Sequence, residues 1–402
     1  MTVKPHHIFV KASLFVTSLV LAISLIEIAF RVLGFDLERK ATAFRAIPIP
    51  YRQPTEPVGE VYFRRQGPDA WMGNVLGVGY DKIVGGKDNP YLREPVVTVQ
   101  YDRQGFRNPE DLTDWDITVI GDSSTELGFL DYKDLFTTRL GVLLGVRVKN
   151  LGVAYTGALT QTFYLKEYGR SPSTKIAILA FFEGNDLQDI QREEQLLKEF
   201  RDTGRRPYRN IEKQTSFVKL IYHTVQQTYN TRTANDAERN AYFKSESGEI
   251  PVTLDYRPLA KDELTSKQIA SLDSALTSFA NTALDLGVTP WLVFLPCKRR
   301  VLDGFLRYAG TPSQADANLI GRGLPELVGE HAAKQGIGFI DVTPALVEQA
   351  VNGVLTFNPI WDTHLNREGS RVVAKTIADR LKSNWSGLST WRVSQPENRF
   401  RK

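Results

Sequence analysis

Residues 116–136 read DITVIGDSSTELGFLDYKDLF, and the pattern changes twice inside this stretch. The apolar run DITVIG is typical of a buried strand, and the residues from Asp131 onward begin a pattern with apolar side chains three and four apart, which is typical of a helix. Between them lies the polar turn Gly-Asp-Ser-Ser-Thr. Either this is an ordinary polar turn between a strand and a helix, or it holds Ser123 at the carboxyl edge of a sheet as a nucleophile.

The same alternation of strand and helix recurs downstream. Apolar strand candidates are VRVKNLG (146–152), KIAILAFF (175–182), TPWLVFLP (289–296) and GIGFIDV (336–342). Helical patterns separate them, and a last helix is predicted in NREGSRVVAKTIADRLKSNW, where Asn366 could cap the first turn. Strands that alternate with helices predict a parallel sheet with helices on both faces.

The α/β pattern occupies residues 111–385, and composition divides the rest of the chain. Residues 35–110 are rich in Pro and Gly and predict a loop-rich, membrane-proximal segment with a few short strands. Residues 386–402 predict a flexible tail. Residues 190–262 interrupt the alternation and predict a helical insertion, either surface decoration or a lid. We favour a lid, since insertions after strand carboxyl ends lie where ligands bind.

Residues 1–34 contain an apolar run from Ile8 to Phe30 whose charges are Lys11 and Glu27. About 20 apolar residues suffice to span a bilayer. A transmembrane anchor is the favoured interpretation, and a cleaved signal peptide or a buried core helix are the alternatives. Basic residues lie on both sides of the run, so charge does not fix its orientation. We expect the domain outside the cytoplasm, in the periplasm, because short-tailed N-terminal anchors usually export the domain attached to them.

Composition excludes several kinds of function. The 402 residues carry a formal net charge of only +4, without a dominant Lys/Arg block, so no nucleic-acid partner is suggested. The single cysteine, Cys297, rules out an intramolecular disulfide. The five histidines are dispersed and the carboxylates lack ligand spacing, so we expect no metal. Without a Gly-rich phosphate loop we expect no cofactor. The oligomeric state is not indicated.

A serine hydroxyl needs a neighbouring base to act as a nucleophile. Of the five histidines, His364 lies in a loop, NPIWDTHLNREGS, just before the last predicted helix. Asp362 stands two residues earlier and could orient the imidazole through a hydrogen bond. Taken alone, this triplet is equally typical of a helix-capping loop. Ser123, His364 and Asp362 are the candidate catalytic residues.

An acyl-transfer site also needs donors for an oxyanion. Asn185, in FFEGNDLQD, follows the third predicted strand, and Gly157, in KNLGVAYTGALT, follows the second. Both would lie at the same sheet edge as Ser123. Each turn alone is ordinary, but four such turns, each following a core strand or preceding the final helix, are hard to obtain by accident. Lys298, in FLPCKRR, follows the fourth strand and is a weak candidate for binding an anionic or sugar-acid substrate.

In this order, GDSSTELG, NLGVAYTG, FFEGND and WDTHLNREGS resemble the four blocks of the SGNH (GDSL-type) hydrolase family. The blocks span residues 116–382, and QYDRQGFRNPED upstream is similar to the lead-in of membrane-anchored bacterial members. The resemblance implies a three-layer αβα flavodoxin-like fold and a Ser-His-Asp site. Ser123 matches the nucleophile, which would also donate its backbone N–H to the oxyanion, His364 the base, Asp362 its acidic partner and Asn185 the oxyanion amide.

Two positions depart from the pattern of the family. The gap between Asp362 and His364 is shorter than the family often has. Tyr155 stands where many members place the oxyanion glycine, so either Tyr155 or Gly157 supplies that N–H, and we favour Gly157. Lys298 lies in a stretch that weakly resembles the Pro-x-Lys segment of envelope polysaccharide O-acetyltransferases of the same superfamily.

The expected function is hydrolysis of carboxylic or acetyl esters outside the cytoplasm by a membrane-anchored serine enzyme. The alternative enzyme is an O-acetyltransferase acting on an envelope polysaccharide, so the substrate would be an ester or an acylated glycan. The two differ in whether water or an acceptor hydroxyl resolves the acyl-enzyme. A non-catalytic envelope protein that retains the fold is the alternative from another class.

Overall fold

The structure is a computed structural model that describes residues 5–33, 55–59, 62–65, 67, 69–76, 93–109, 111–128, 130–205, 240–308, 323–359 and 363–384. The chain divides into two compact units. One comprises Met1–Ile47 and Asn210–Asn235, and the other comprises Pro48–Arg209 and Asp236–Lys402. The predicted tail, 386–402, lies outside the described residues.

In the first unit the structure describes one helix, α1 (Pro5–Leu33). Large apolar side chains along it are exposed, among them Phe15 and Leu21, which is not the burial expected of a core helix. By the combined criteria of length and hydropathy, none of the helices in the described part of the chain qualifies as a membrane span.

The second unit begins with two antiparallel pairs of strands. The first pair is β1 (Thr55–Val58) with β2 (Tyr62–Arg65), and the second is β3 (Asp69–Leu76) with β4 (Arg93–Tyr101). The segment expected to be loop-rich with a few short strands contains these two antiparallel pairs, and its end is buried. Phe106, which follows β4, is fully buried in the same apolar cluster as core-strand residues of the sheet.

The remaining elements follow in the order β5 (Ile117–Gly121), α2 (Ser123–Glu126), α3 (Phe136–Leu144), β6 (Val148–Gly152), α4 (Ala158–Tyr168), β7 (Ile176–Phe182), α5 (Asp186–Thr203), β8 (Asn240–Ser245), β9 (Gly248–Thr253), α6 (Ser266–Asp285), β10 (Thr289–Leu295), α7 (Lys298–Leu302), β11 (Leu306–Tyr308), α8 (Leu324–Lys334), β12 (Gly338–Asp341), α9 (Thr343–Val351) and α10 (Arg367–Asn384).

Five of these strands form the central sheet, in the spatial order β12-β10-β7-β5-β6, and every pairing in it is parallel. Numbered by position along the chain, this is the doubly wound order 2-1-3-4-5 of flavodoxin-like folds. The predicted parallel sheet is confirmed. The order reverses between β5 and β7, and ligands of open α/β sheets bind outside the carboxyl ends of the strands at such a switch point.

Both faces of the sheet are covered. All seven residues of β7 are buried, and they alternate between two apolar clusters: Ile178 faces one and Leu179 the other. The first cluster includes residues of α3, α9 and α10, and the second includes residues of α4, α5, α6 and α8. A strand buried on both faces reads as a continuous apolar run, which is why KIAILAFF predicts it so clearly.

The predicted insertion at 190–262 begins within a helix. Residues 186–203 form one helix, α5, and its Leu187 and Ile190 are buried against the sheet. Further on, β8 and β9 pair with each other and with β11 in a separate three-stranded sheet. Phe243 and Val252 of this sheet are fully buried in the core. Residues 206–239, the middle of the segment predicted to be an insertion or lid, lie outside the described residues, so the lid stays a prediction.

Candidate active site

The carboxyl ends of β5 and β7 are neighbours at the switch point of the sheet. Gly121, the last residue of β5, pairs with Ala180 of β7. Ser123 begins α2 directly after β5, and Asn185 precedes α5 directly after β7. Both residues therefore lie at one edge of the sheet, as the sequence predicts.

His364 is brought to this edge from the other end of the chain. Its Nε2 lies 2.8 Å from Ser123 Oγ, although the two residues are 241 positions apart. The loop is fixed by a bridge between Phe357 and Leu365, and the carbonyl of His364 accepts from the N–H of Asn358 at 2.9 Å. The expected cap of the following helix is confirmed, because Asn366 Oδ1 accepts the N–H groups of Glu368 and Gly369, both at 2.9 Å. The geometry is that of a serine hydroxyl with a base in reach.

Asp122 holds the turn that carries the serine. This residue is fully buried, its Oδ1 accepts the N–H of Ser124 at 2.8 Å, and its Oδ2 lies 3.3 Å from Ser123 Oγ. Burial raises the pKa of the Asp122 carboxyl, while the Ser124 N–H and the charge of His364 act in the opposite direction. The short helix α2 therefore starts from a side-chain cap inside the protein.

Asp362, the predicted acidic partner of His364, lies outside the described residues, which break off at 359 and resume at 363. Its assignment stays a prediction.

Asn185 is held by a carboxylate of the following helix. Its Nδ2 donates to Asp189 Oδ2 at 2.6 Å, and its buried Oδ1 has no hydrogen-bond partner within the described part of the chain. An amide nitrogen carries two N–H groups. One is engaged by Asp189, so the second can serve an oxyanion.

The backbone N–H of Gly157, which was expected to serve the oxyanion, is already engaged in another hydrogen bond. That N–H donates to the buried carboxylate of Glu193, with a distance of 2.7 Å to Oε1. Glu193 also accepts the N–H groups of Leu159 and Thr160, at 3.1 and 3.2 Å, so it caps the start of α4. Burial raises the pKa of Glu193 to about 7, although these hydrogen bonds favour its ionised form. The expectation for Gly157 is wrong, because an N–H bound to a carboxylate cannot serve an oxyanion.

Tyr155 is the alternative at this loop, and its backbone is unusual. Its φ is +66°, a conformation that few non-glycine residues adopt, and its side chain is 59% exposed. Arg192 Nη2 donates to the carbonyl of Tyr155 at 2.7 Å and fixes the loop. Such an outlier at a sheet edge points to a functional constraint.

Lys298 does not face a substrate. The residue is 1% exposed, and its ammonium donates to the carbonyls of Thr253 at 2.9 Å and Pro359 at 3.1 Å. The expectation of an anion-binding lysine is wrong, because the charge is turned inward onto two backbone carbonyls. One of them belongs to the loop that leads to His364, so Lys298 fixes that loop instead.

A buried network that sequence reasoning missed supports α2 from below. The carboxylate of Glu126, the last residue of α2, accepts hydrogen bonds from Nε and Nη2 of Arg65 at 3.0 and 3.1 Å and from the hydroxyl of Tyr101 at 2.6 Å. Its Oε2 also accepts the N–H of Ala154 at 2.6 Å. Arg107 donates to the carbonyls of Glu126 and Leu127 at the end of the helix. The segment before residue 111 thus helps to build the serine turn, and the stretch QYDRQGFRNPED, which contains Tyr101 and Arg107, was the available signal.

The acidic residue before Gly184 has a similar supporting role. Glu183 pairs with Arg300 of α7, with Nε 2.8 Å from both carboxylate oxygens, and it accepts the N–H of Cys297 at 3.1 Å. Both ionic side chains are buried. The pair ties the loop that carries Asn185 to the end of β10.

A small cavity lies beside His364. Its volume is ≈ 10 Å³, and its lining includes Phe182, Leu346, Phe357 and Leu365. This is room for about one water-sized group in apolar surroundings. No group of three or more His, Cys, Asp or Glu side chains in the described segments is arranged to hold a metal ion.

No protein-family model and no curated protein matches the chain. Solved structures that resemble it include a protein described as lipolytic and of the G-D-S-L family from Desulfitobacterium hafniense, 14% identical, covering 66% of this chain and 99% of its own, with a TM-score of 0.34. The acetylxylan esterase Axe2 from Geobacillus stearothermophilus is 11% identical, with coverages of 67% and 94% and a TM-score of 0.35.

A carbohydrate esterase family 2 enzyme with a carbohydrate-binding domain, from Corynascus thermopiles (Myceliophthora fergusii), is 10% identical, with coverages of 73% and 71% and a TM-score of 0.35. All three TM-scores are below 0.5. The function of the chain therefore has to be argued from its own residues.

Proposed function

We propose that the chain is a serine-dependent hydrolase of carboxylic esters. His364 accepts the proton of Ser123 as the hydroxyl attacks the ester carbonyl, and the second N–H of Asn185 and the backbone N–H of Ser123 hold the oxyanion. His364 then gives the proton to the leaving alcohol. Water attacks the acyl-enzyme with His364 again as base, which releases the acid and restores the serine. Asp362 is proposed to orient the imidazole.

The observation that carries this proposal is the 2.8 Å separation between Ser123 Oγ and His364 Nε2. The pair stands at the switch point of a doubly wound sheet, where such folds bind their ligands. A hydroxyl that served only as a helix cap would not need an imidazole delivered from the far end of the chain.

The size of the cavity beside His364 favours a short acyl group. The cavity has a volume of ≈ 10 Å³, room for about one water-sized group, and it is lined by Ser124, Thr363 and His364 as well as by apolar side chains. We therefore expect acetyl esters to be cleaved faster than butyryl or octanoyl esters of the same alcohol.

The test is turnover of a small acetyl ester by the purified protein. Ser123→Ala and His364→Ala should each lower kcat by several orders of magnitude, because the two groups act as a unit. A fluorophosphonate probe should label the wild type and not Ser123→Ala. Full activity of Ser123→Ala would overturn the proposal, and a folded wild type that neither turns over ester nor reacts with the probe would favour a non-catalytic protein.

Transfer of an acetyl group to a polysaccharide remains the alternative outcome. Incubation with an acetyl donor and candidate glycans, followed by measurement of acetylated glycan against free acetate, separates transferase from hydrolase. The inward-facing ammonium of Lys298 removes one reason to favour the transferase.

An extracytoplasmic location with residues 1–34 as membrane anchor stays a prediction from the sequence. Retention of the chain in carbonate-washed membranes, together with protease accessibility of the catalytic unit from outside the cytoplasm, is the expected result. A fully soluble cytosolic chain would contradict it.

A further inference from the structure

The amide of Asn185 is oriented from one side only. Its Oδ1 is buried and has no hydrogen-bond partner among the residues that the structure describes, whereas its Nδ2 donates to Asp189 at 2.6 Å. An Asn amide can turn over and exchange its oxygen and nitrogen unless a neighbour prevents it. An ionised carboxylate accepts hydrogen bonds and cannot donate one, so it holds the nitrogen on its own side. The contact to Asp189 is therefore what decides which way the amide lies.

Asp189 is itself held in place. It stands one helical turn after Asn185 in α5, and its N–H donates to the carbonyl of Asn185 at 2.8 Å. Arg192 Nη1 lies 2.8 Å from its second carboxylate oxygen, and the same guanidinium donates to the carbonyl of Tyr155. The aspartate is only 5% exposed. One carboxylate thus connects the loops that follow β6 and β7.

We propose that Asp189 is a positioning residue of this active site: its ionised carboxylate keeps the Asn185 amide turned so that the second N–H is available to the oxyanion. The inference rests on the proposed ester hydrolysis and names a group that the sequence pattern did not single out. Asp189 does not touch the reacting atoms. It acts through Asn185, so its contribution vanishes when the amide is absent.

The charges around Asp189 make its ionisation sensitive to pH. Burial raises its pKa to about 6, Arg192 lowers it, and the nearby charge of Asp122 raises it. Asp186 and Glu193 on the same helix and Tyr256 after β9 also interact with it electrostatically. Below about pH 6 the carboxyl gains a proton and can donate as well as accept, so the amide is no longer held one way round.

The consequence is that two groups, rather than one, must lose a proton as kcat/KM rises on the acid side of its pH profile. A histidine base has to lose one proton before it can accept the proton of the serine. If Asp189 also has to be ionised, log(kcat/KM) should rise towards neutral pH with a slope approaching 2 rather than 1.

The experiment compares wild type, Asp189→Asn, Asn185→Ala and the double variant on one small acetyl ester. Loss of one oxyanion donor lowers kcat by about 10²–10³. We expect Asp189→Asn to lower kcat by about 10–10² with little change in KM, and the double variant to be no slower than Asn185→Ala alone. Asp189→Glu, which keeps the charge, should recover part of the loss. Asp202→Asn, an exposed change near the end of the same helix, is the matched control and should behave as wild type.

The pH profile provides a readout that a merely structural role would not change. The slope should approach 2 in the wild type and 1 in Asn185→Ala, a comparison that needs no substitution at Asp189. Additive losses in the double variant, an unchanged kcat in Asp189→Asn, or the same slope in both profiles would overturn this inference alone. A folded wild type that shows neither turnover nor labelling by a fluorophosphonate probe would overturn the proposed hydrolase together with it.

Discussion

The substitution Glu126→Gln tests whether the segment before residue 111 really supports the serine turn. The carboxylate and its partner Arg65 have side chains that are each 2% exposed. Burial lowers the pKa of Arg65, but the charge of Glu126, its hydrogen bond and the nearby hydroxyls of Tyr101 and Tyr164 together more than compensate and raise that pKa above its ordinary value. The hydroxyl of Tyr101 and the N–H of Ala154 complete the acceptor capacity of the carboxylate.

Glutamine keeps the shape of Glu126 but replaces one acceptor oxygen with a donor. Whichever way the new amide lies, its NH₂ group faces one fork of Arg65 and one of the other two donors. The guanidinium is then buried without its counter-charge. Removal of one partner of a buried ion pair costs about 3–5 kcal/mol, and we expect the free energy of unfolding to fall by that amount.

The assay is urea unfolding of the full-length protein, followed by tryptophan fluorescence under identical solvent conditions for each variant. Glu249→Gln is the matched control, because it makes the same chemical change in the exposed pair between Glu249 and Arg307, whose side chains are 40% and 52% exposed. Exposed pairs often contribute nothing measurable, so its midpoint should not move. A midpoint for Glu126→Gln that coincides with that of Glu249→Gln would refute the reasoning, as would unchanged kcat in a variant destabilised this far.

Two other buried groups give measurable predictions. Lys298→Met should lower kcat/KM for an acetyl ester by about tenfold, because the carbonyls of Thr253 and Pro359 lose this donor and the loop before His364 is held less firmly. A variant that is less stable towards urea but fully active would contradict this. Burial raises the pKa of Glu193 from 4.5 to about 7, so between these two values the native state keeps a proton that the unfolded state has lost. The free energy of unfolding should therefore fall by up to about 3 kcal/mol as the pH rises through this interval, and it should level off above it. Urea midpoints at pH 5 and pH 7.5 check the sign, and a fall as steep in Glu193→Gln as in wild type would exclude this residue as its source.

The central sheet could be predicted because its strands are buried on both faces. Each of the five core strands lies within two residues of the apolar run that predicted it, from DITVIG to GIGFIDV. The proximity of the turns after β5 and β7 could be predicted as well, since parallel strands that lie side by side have their carboxyl ends at the same edge of the sheet. Their order in the sheet, and hence the switch point, depends on pairing between distant segments, which no local pattern encodes.

The errors concern residues whose partners come from elsewhere in the chain. The charged composition of α5 suggested that an insertion begins near residue 190, whereas Leu187 and Ile190 of this helix are buried in an apolar cluster of the core. Gly157 looked available because Glu193, which takes its N–H, lies 36 positions away. Lys298 looked like a surface charge for the same reason, since its acceptors are 45 and 61 positions distant.

The distance along the chain between Ser123 and His364 also has a consequence for biosynthesis. His364 is the 241st residue that a ribosome adds after Ser123. In the proposed mechanism, the nascent chain can therefore cleave an ester only after His364 has been synthesised and its Nε2 has reached Ser123 Oγ.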